Sequence, residues 1–204
     1  MKKSNLFFLV ILGFASHTFA AEPHNPISFD HVFLNLGYDW VEVENADFNG
    51  SLSGEAGVRW KVEDSFLLEA SLSGINDSDT DKVEDNRGAY SLALDSWDVL
   101  FGGLYQHAIK DQFEIYGRAG FLAYRMQLDL EESFYDLKAA GSDSVSDNGY
   151  GFYAGVGCLV QLDANWRIAS DLVFKRRLDF LDDSSRPFDV DTFGINVGAR
   201  YYFK

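Results

Sequence analysis

The chain has 204 residues, with 17 basic against 32 acidic side chains and a formal charge of −15. So acidic a balance argues against nucleic acid as a partner, and the single cysteine, Cys158, excludes an intramolecular disulfide. The length suits one domain, and no segment reaches the roughly 20 apolar residues that a membrane-spanning helix needs.

Residues 1–20 read as a secretion signal. Lys2 and Lys3 give a positive start, Leu6 to Phe14 an apolar core, and Thr18-Phe19-Ala20 a small-residue cleavage site before Ala21. Residues 21–204 are the expected mature domain, and losing Lys2 and Lys3 takes its charge to −17.

Beyond the signal, apolar and polar residues alternate with the period of a strand. In the first expected strand Val32, Leu34, Leu36, Tyr38 and Trp40 oppose Asn35, Gly37 and Asp39. In the second, Leu52, Ala56, Val58 and Trp60 oppose Glu55, Arg59 and Lys61; in the third, Phe66, Leu68, Ala70 and Leu72 oppose Glu69, Ser71 and Ser73. The fourth sets Trp97, Val99, Phe101 and Tyr105 against Asp98, Leu100, Leu104 and Gln106. The fifth is the clearest, with Phe113, Ile115, Ala119 and Phe121 against Glu114, Tyr116 and Arg118. Phe152 to Val160 make a sixth, Trp166 to Phe174 a seventh with Arg167, Asp171 and Lys175 opposite, and Phe193 to Phe203 an eighth with Asn196 and Arg200 opposite.

A soluble sandwich would alternate in the same way, so the connections decide. Residues 63–64, 108–112 and 163–165 are tight turns, whereas 44–49, 75–95, 130–149 and 179–191 are longer. Short turns on one side and long loops on the other belong to a transmembrane barrel, and Trp60, Phe66, Phe113, Trp166, Tyr201 and Phe203 collect at the short-turn end as an interfacial girdle does. The expected fold is therefore all-β, an eight-stranded antiparallel up-and-down transmembrane barrel. A barrel is also the one non-helical way to satisfy every backbone group in lipid.

An eight-stranded barrel is just wide enough for side chains to fill it. The expected interior carries Arg59, Arg118, Arg167, Lys175 and Arg200 against Glu55, Glu69, Glu114 and Asp171, a near-balance that implies a salt-bridged filling with no wide pore. Segments 75–95 and 130–149, long, polar and acidic, are expected to be mobile outer loops without a core of their own.

The closing strand, with Asn196, Gly198, Tyr201 and Phe203 in period-two register, resembles the signal read by the bacterial outer-membrane barrel-assembly machinery. With Phe113 to Gly120, Gly155-Val156-Gly157 and Trp166 to Phe174, it makes essentially the whole mature chain similar to the transmembrane domain of the outer membrane protein A (OmpA) family. Larger family members continue into a peptidoglycan-binding domain, and this sequence stops at the barrel. The resemblance implies residence in the outer membrane among lipid and lipopolysaccharide. It also implies a structural or surface role in adhesion or colonisation carried by the loops toward a host-surface ligand, with a narrow ion channel as the alternative. Glu69 is similar to the family's interior glutamate, but the basic positions that partner it there align with Leu104 and Asp171. Any such gate is rewired, through Arg118 or Lys175.

Some small outer-membrane barrels modify lipid A, but neither His31 nor His107 has the serine two residues on that deacylase barrels carry. A hydrolase would need serine, histidine and carboxylate together. The acidic run Asp77 to Asp81 begins like a calcium loop, but Lys82 stands where a turn glycine belongs and Gly88 where the bidentate glutamate belongs. No catalytic set, metal site or cofactor is expected. Arg176 and Arg177, at the outer end of the seventh strand, are candidates to contact lipopolysaccharide phosphates.

Overall fold

A computed structural model describes residues 27–43, 46–80, 83–84, 88–134, 139–181 and 187–203. The signal segment and its cleavage site lie outside them. Ten strand segments are present; Ala46–Asp47 and Val83–Glu84 are short pieces, and the other eight build the barrel. They are β1 (Ser28–Val43), β2 (Ser51–Glu63), β3 (Phe66–Asp79), β4 (Gly88–Lys110), β5 (Phe113–Phe134), β6 (Ala139–Gln161), β7 (Trp166–Phe180) and β8 (Phe188–Tyr202).

Each strand pairs antiparallel with the next in sequence, and β8 returns to β1 from His31↔Tyr202 to Val43↔Val190. That pairing closes the sheet and removes its edges at membrane depth, as hydrocarbon demands. The alternation is expressed as expected. Leu36, Leu52, Phe121 and Val197 stand on the outer wall, more than half exposed, while Asn35, Glu55, Arg59 and Glu69 are buried inside. Toward the short turns Trp166 packs on Tyr201 at 5.0 Å, Tyr201 on Phe203 at 4.9 Å and Phe203 on Phe29 at 5.2 Å. Toward the outer end Tyr38, Trp40 and Phe193 form a second aromatic group.

One glycine pair positions the interior. Gly102 lies opposite Gly120 across β4 and β5, and a Cβ on Gly120 would fall 2.6 Å from the Gly102 Cα and 2.8 Å from the Tyr153 ring. Two missing side chains let Tyr153 lie flat across the pair and reach Glu69.

The segments expected to be loose outer loops are largely strand. β4 and β5 pair without a break from Trp97↔Arg125 out to Gly88↔Phe134, and β5 and β6 from Tyr124↔Gly149 to Phe134↔Ala139. β4, β5 and β6 therefore rise beyond the barrel as a three-stranded extension. The acidic composition hid an alternation that Tyr90, Leu92 and Leu94 still keep, and backbone pairing needs no core beneath it. Ile75 and Leu94 in these segments, with Phe180 and Val190 of β7 and β8, are buried as part of a cluster shared with Val41, Leu100 and Leu122 of the barrel and not as a core of the segments' own.

Candidate functional site: the sealed interior and the outer extension

Five basic side chains (Arg59, Arg118, Lys175, Arg177, Arg200) and five acidic ones (Asp39, Glu55, Glu69, Asp98, Asp171) are buried among the described residues. β2, β3 and β5 supply the central group. Arg118 donates two parallel bonds to Glu55, at 2.9 and 2.8 Å, and approaches Glu69 at 3.4 Å. Arg59 donates to the other Glu69 oxygen at 2.9 Å, and the Tyr153 hydroxyl donates to Glu69 at 2.7 Å. Ser71 and Asn35 complete the shell of Glu55. A buried ion pair is tolerated only when such bonds satisfy its remaining lone pairs.

Below this group Arg200 donates to Asn35 at 2.5 Å and lies 3.6 Å from Asp171, which also accepts from Tyr116 at 2.7 Å and Asn196 at 2.9 Å. The guanidinium groups of Arg59 and Arg200 lie 4.5 and 4.9 Å from the Phe33 ring, so one aromatic ring attracts both like charges. Above it, Arg177 forks onto Asp98 at 2.9 and 2.7 Å, and Lys175 lies 3.6 Å from Asp98 and 3.8 Å from Asp39.

Over the charges lies an apolar cap. Val41, Ile75, Leu94, Leu100, Leu122, Tyr124, Met126, Phe180 and Val190 pack together at the outer end of the lumen. A smaller cluster including Leu67, Leu104 and Leu159 fills the interior nearer the turns. At the periplasmic mouth the Arg167–Glu114 pair, 2.6 Å apart, is partly exposed. At the outer rim Arg176 donates to Asp189 at 3.1 and 2.8 Å, and that hydrogen bond holds the Asp189 carboxyl below the usual carboxylate range.

Residues 6–203 match the model of the outer membrane protein beta-barrel domain. The chain belongs to that family. No curated protein shares significant sequence similarity with it, but solved barrels share its fold. Ail, the attachment invasion locus protein of Yersinia pestis, is 14% identical over 86% of this chain and 99% of its own, with a TM-score of 0.53. Neisserial surface protein A is 8% identical over 88% and 98%, at 0.51. A major outer membrane protein of Thermus thermophilus is 13% identical over 85% and 99%, at 0.51. The protein is thus an outer-membrane β-barrel.

In this member of the family the expected interior residues come together in layers: Glu55, Arg59, Glu69 and Arg118 at the centre, Asp171 and Arg200 below, Lys175 above, Glu114 and Arg167 at the mouth. Lys175 does not reach Glu69, whose bases are Arg59 and Arg118. The expected lipopolysaccharide contact at Arg177 is corrected, because its side chain is fully buried on Asp98. It has the same strand parity as Lys175, so the alternation itself pointed inward. Arg176 alone faces out. Asp39 and Asp98, on inward faces from the start, were the partners that Lys175 and Arg177 required. His31 is buried, bonded to Asp30 at 2.6 Å and with its ring centroid 4.4 Å from that of Tyr202. Of the closing-strand residues, Tyr201 and Phe203 join the girdle. Asn196 binds Asp171, and Gly198 leaves room for Asn35 and the Leu34 carbonyl.

The extension differs in character from the barrel. β6 begins to pair with β7 only at Gly151↔Arg177. Among the described residues, Ala139–Tyr150 therefore has β5 on one side and no strand on the other. The extension carries Asp95, Asp129, Glu131, Glu132, Asp143 and Asp147 against Arg125. A concavity of about 410 Å³ near its tip is lined by Tyr90, Glu131, Glu132 and Ser142 among others.

Proposed function

We propose that this outer-membrane barrel is a non-enzymatic surface-interaction protein, with an adhesive or colonising role carried by the β4–β5–β6 extension. The observation that carries the reading is the open edge of β6 on an acidic sheet. Such an edge presents a row of backbone donors and acceptors, onto which an extended segment adds as a further strand. The negative charge, carried on both faces of the sheet, selects a segment with basic side chains, such as a host matrix or epithelial surface protein presents. Ail, named for attachment and invasion, has the same fold.

The interior supports this over a conducting role. Balanced charges fill the middle of the lumen and the apolar cap covers them, which leaves a structural filling in place of an ion path. His31 supports it over catalysis, since its two ring nitrogens face Asp30 and Arg59 where a hydrolase would need a serine. The wider reading includes residues 1–20 as a cleaved signal and the closing strand as the handle for the assembly machinery. Lipid and lipopolysaccharide surround the wall, and the partly exposed Arg176 is the residue left to meet a lipopolysaccharide phosphate.

The test uses whole cells expressing the wild type or a Glu131→Lys/Asp143→Lys variant. Both should assemble, shown by heat-modifiable migration, and the variant should lose binding to matrix and epithelial surfaces. Binding equal to wild type would overturn the extension as the site. A steady single-channel current from the wild type would favour the channel, and an altered lipid A mass spectrum would favour an enzyme.

A further inference from the structure

A groove of about 560 Å³ crosses the lipid-facing wall of the barrel. Its upper bank is one cross-strand row, Tyr105, Gly117, Val156 and Leu172, running from β4 to β7. Its lower bank is the next row toward the turns, His107, Ile115, Cys158 and Ser170. Tyr105 and Val156 stand out, 57% and 61% exposed, while Gly117 and Cys158 recede and Ser170 presents only a short side chain. A Cβ on Gly117 would meet nothing nearer than the Gly155 carbonyl at 3.9 Å. Strand packing therefore does not require the glycine, and what it leaves open is space on the membrane side.

Depth and chemistry name the occupant. Ile115 is the next outward residue after Phe113 of the girdle, so the groove lies in the periplasmic leaflet. His107 sits on its lower bank, and Lys110 ends the same strand, exposed at headgroup depth beside Asp111. Two groups able to bind phosphate thus stand at the polar end of an apolar trough. Eleven residues line the groove, well short of the roughly 20–30 a side of a stable protein interface, so a slender chain fits better than a second barrel. Under the floor, Tyr116 and Asp171 bind each other and offer a polar ligand little.

We propose that this groove is a lipid site, holding one acyl chain of a periplasmic-leaflet phospholipid with its phosphate at His107 and Lys110. The site is separate from the surface interaction and stands or falls without it. The test is native mass spectrometry of the full folded barrel released from vesicles of phosphatidylethanolamine and phosphatidylglycerol. The wild type should retain one phospholipid. Gly117→Leu, which fills the trough, should lower occupancy about tenfold, as losing a buried methylene pair does, with heat-modifiability unchanged. Should that variant not fold, Ser170→Leu fills the trough from the opposite end. His107→Ala/Lys110→Ala should release phosphatidylglycerol more than phosphatidylethanolamine. A lipid-free wild type, or full retention by a folded filled variant, would overturn the proposal. So would a Cys158-linked dimer in oxidised vesicles, which would give the groove to a second copy.

Discussion

Glu69→Ala tests the charge layer most directly. The carboxylate is fully buried and serves Arg59, Arg118 and Tyr153 at once. Its loss leaves five buried bases against four acids. Arg118 keeps its fork on Glu55, but Arg59 is stranded between Phe33 and His31 with no exposure to water. Removing one partner of a buried pair costs about 3–5 kcal/mol. At a slope of about 2 kcal/mol per molar urea, that lowers the unfolding midpoint by about 2 M. The assay follows the folded, fast-migrating form on unheated gels across a urea series. Glu69→Gln, which keeps an acceptor for Tyr153, should fall between wild type and Glu69→Ala. Glu69→Ala/Arg59→Ala removes both charges and should recover part of the loss, giving a coupling of at least about 1 kcal/mol. A midpoint within error of wild type, or strict additivity in the cycle, would refute the buried network.

Two more predictions bear on the neighbouring layers. Arg177→Ala should destabilise by about 3 kcal/mol, because Asp98 loses its fork and is left with Lys175, whereas Arg176→Ala at the partly exposed rim should change stability by less than about 1 kcal/mol. Equal effects in the same urea series would mean that the two arginines are not on opposite faces. Leu122→Ala in the cap should cost about 2–5 kcal/mol and admit a measurable current in a planar bilayer that the wild type lacks. A destabilised variant that stays electrically silent would show that the seal lies in the charge layer.

Period-two alternation made the wall legible, because lipid on one side and a packed lumen on the other impose opposite chemistry on successive residues. The same alternation held the whole charge layer: Asp39, Asp98 and Arg177 already had inward parity, and counting them completes the balance. The cap was hidden because Ile75, Leu94, Phe180 and Val190 sit in stretches whose mean composition is polar and acidic, and scattered apolar residues there carry little periodic signal. Strand length was hidden for a related reason. Beyond the membrane both faces of the sheet meet water, so nothing forces the outward residues to be apolar, and the extension of β4, β5 and β6 reads as loop. The groove on the wall depends on which strands lie side by side, and a bare sequence does not give that register.

Charge placement ties the interior to the outer end. The buried acids and bases of the described residues cancel, so the chain's −15 comes from residues outside that buried set. On the proposed non-conducting reading, an interior without net charge under an apolar lid would give an ion neither a favourable field nor a hydrated path. The extension, six acids to one base, holds its charge where salt limits its reach to about 8–10 Å. On the proposed surface role, a basic segment approaching within that distance would be steered onto the sheet before it touches, and the β6 edge, which has no strand beside it among the described residues, would then fix its register. Steering alone would give weak contact with any cation, and an open edge alone would recruit any extended chain, a second copy included. Together, on the proposed role, they would favour basic strands, and like charge on the extension would discourage self-association.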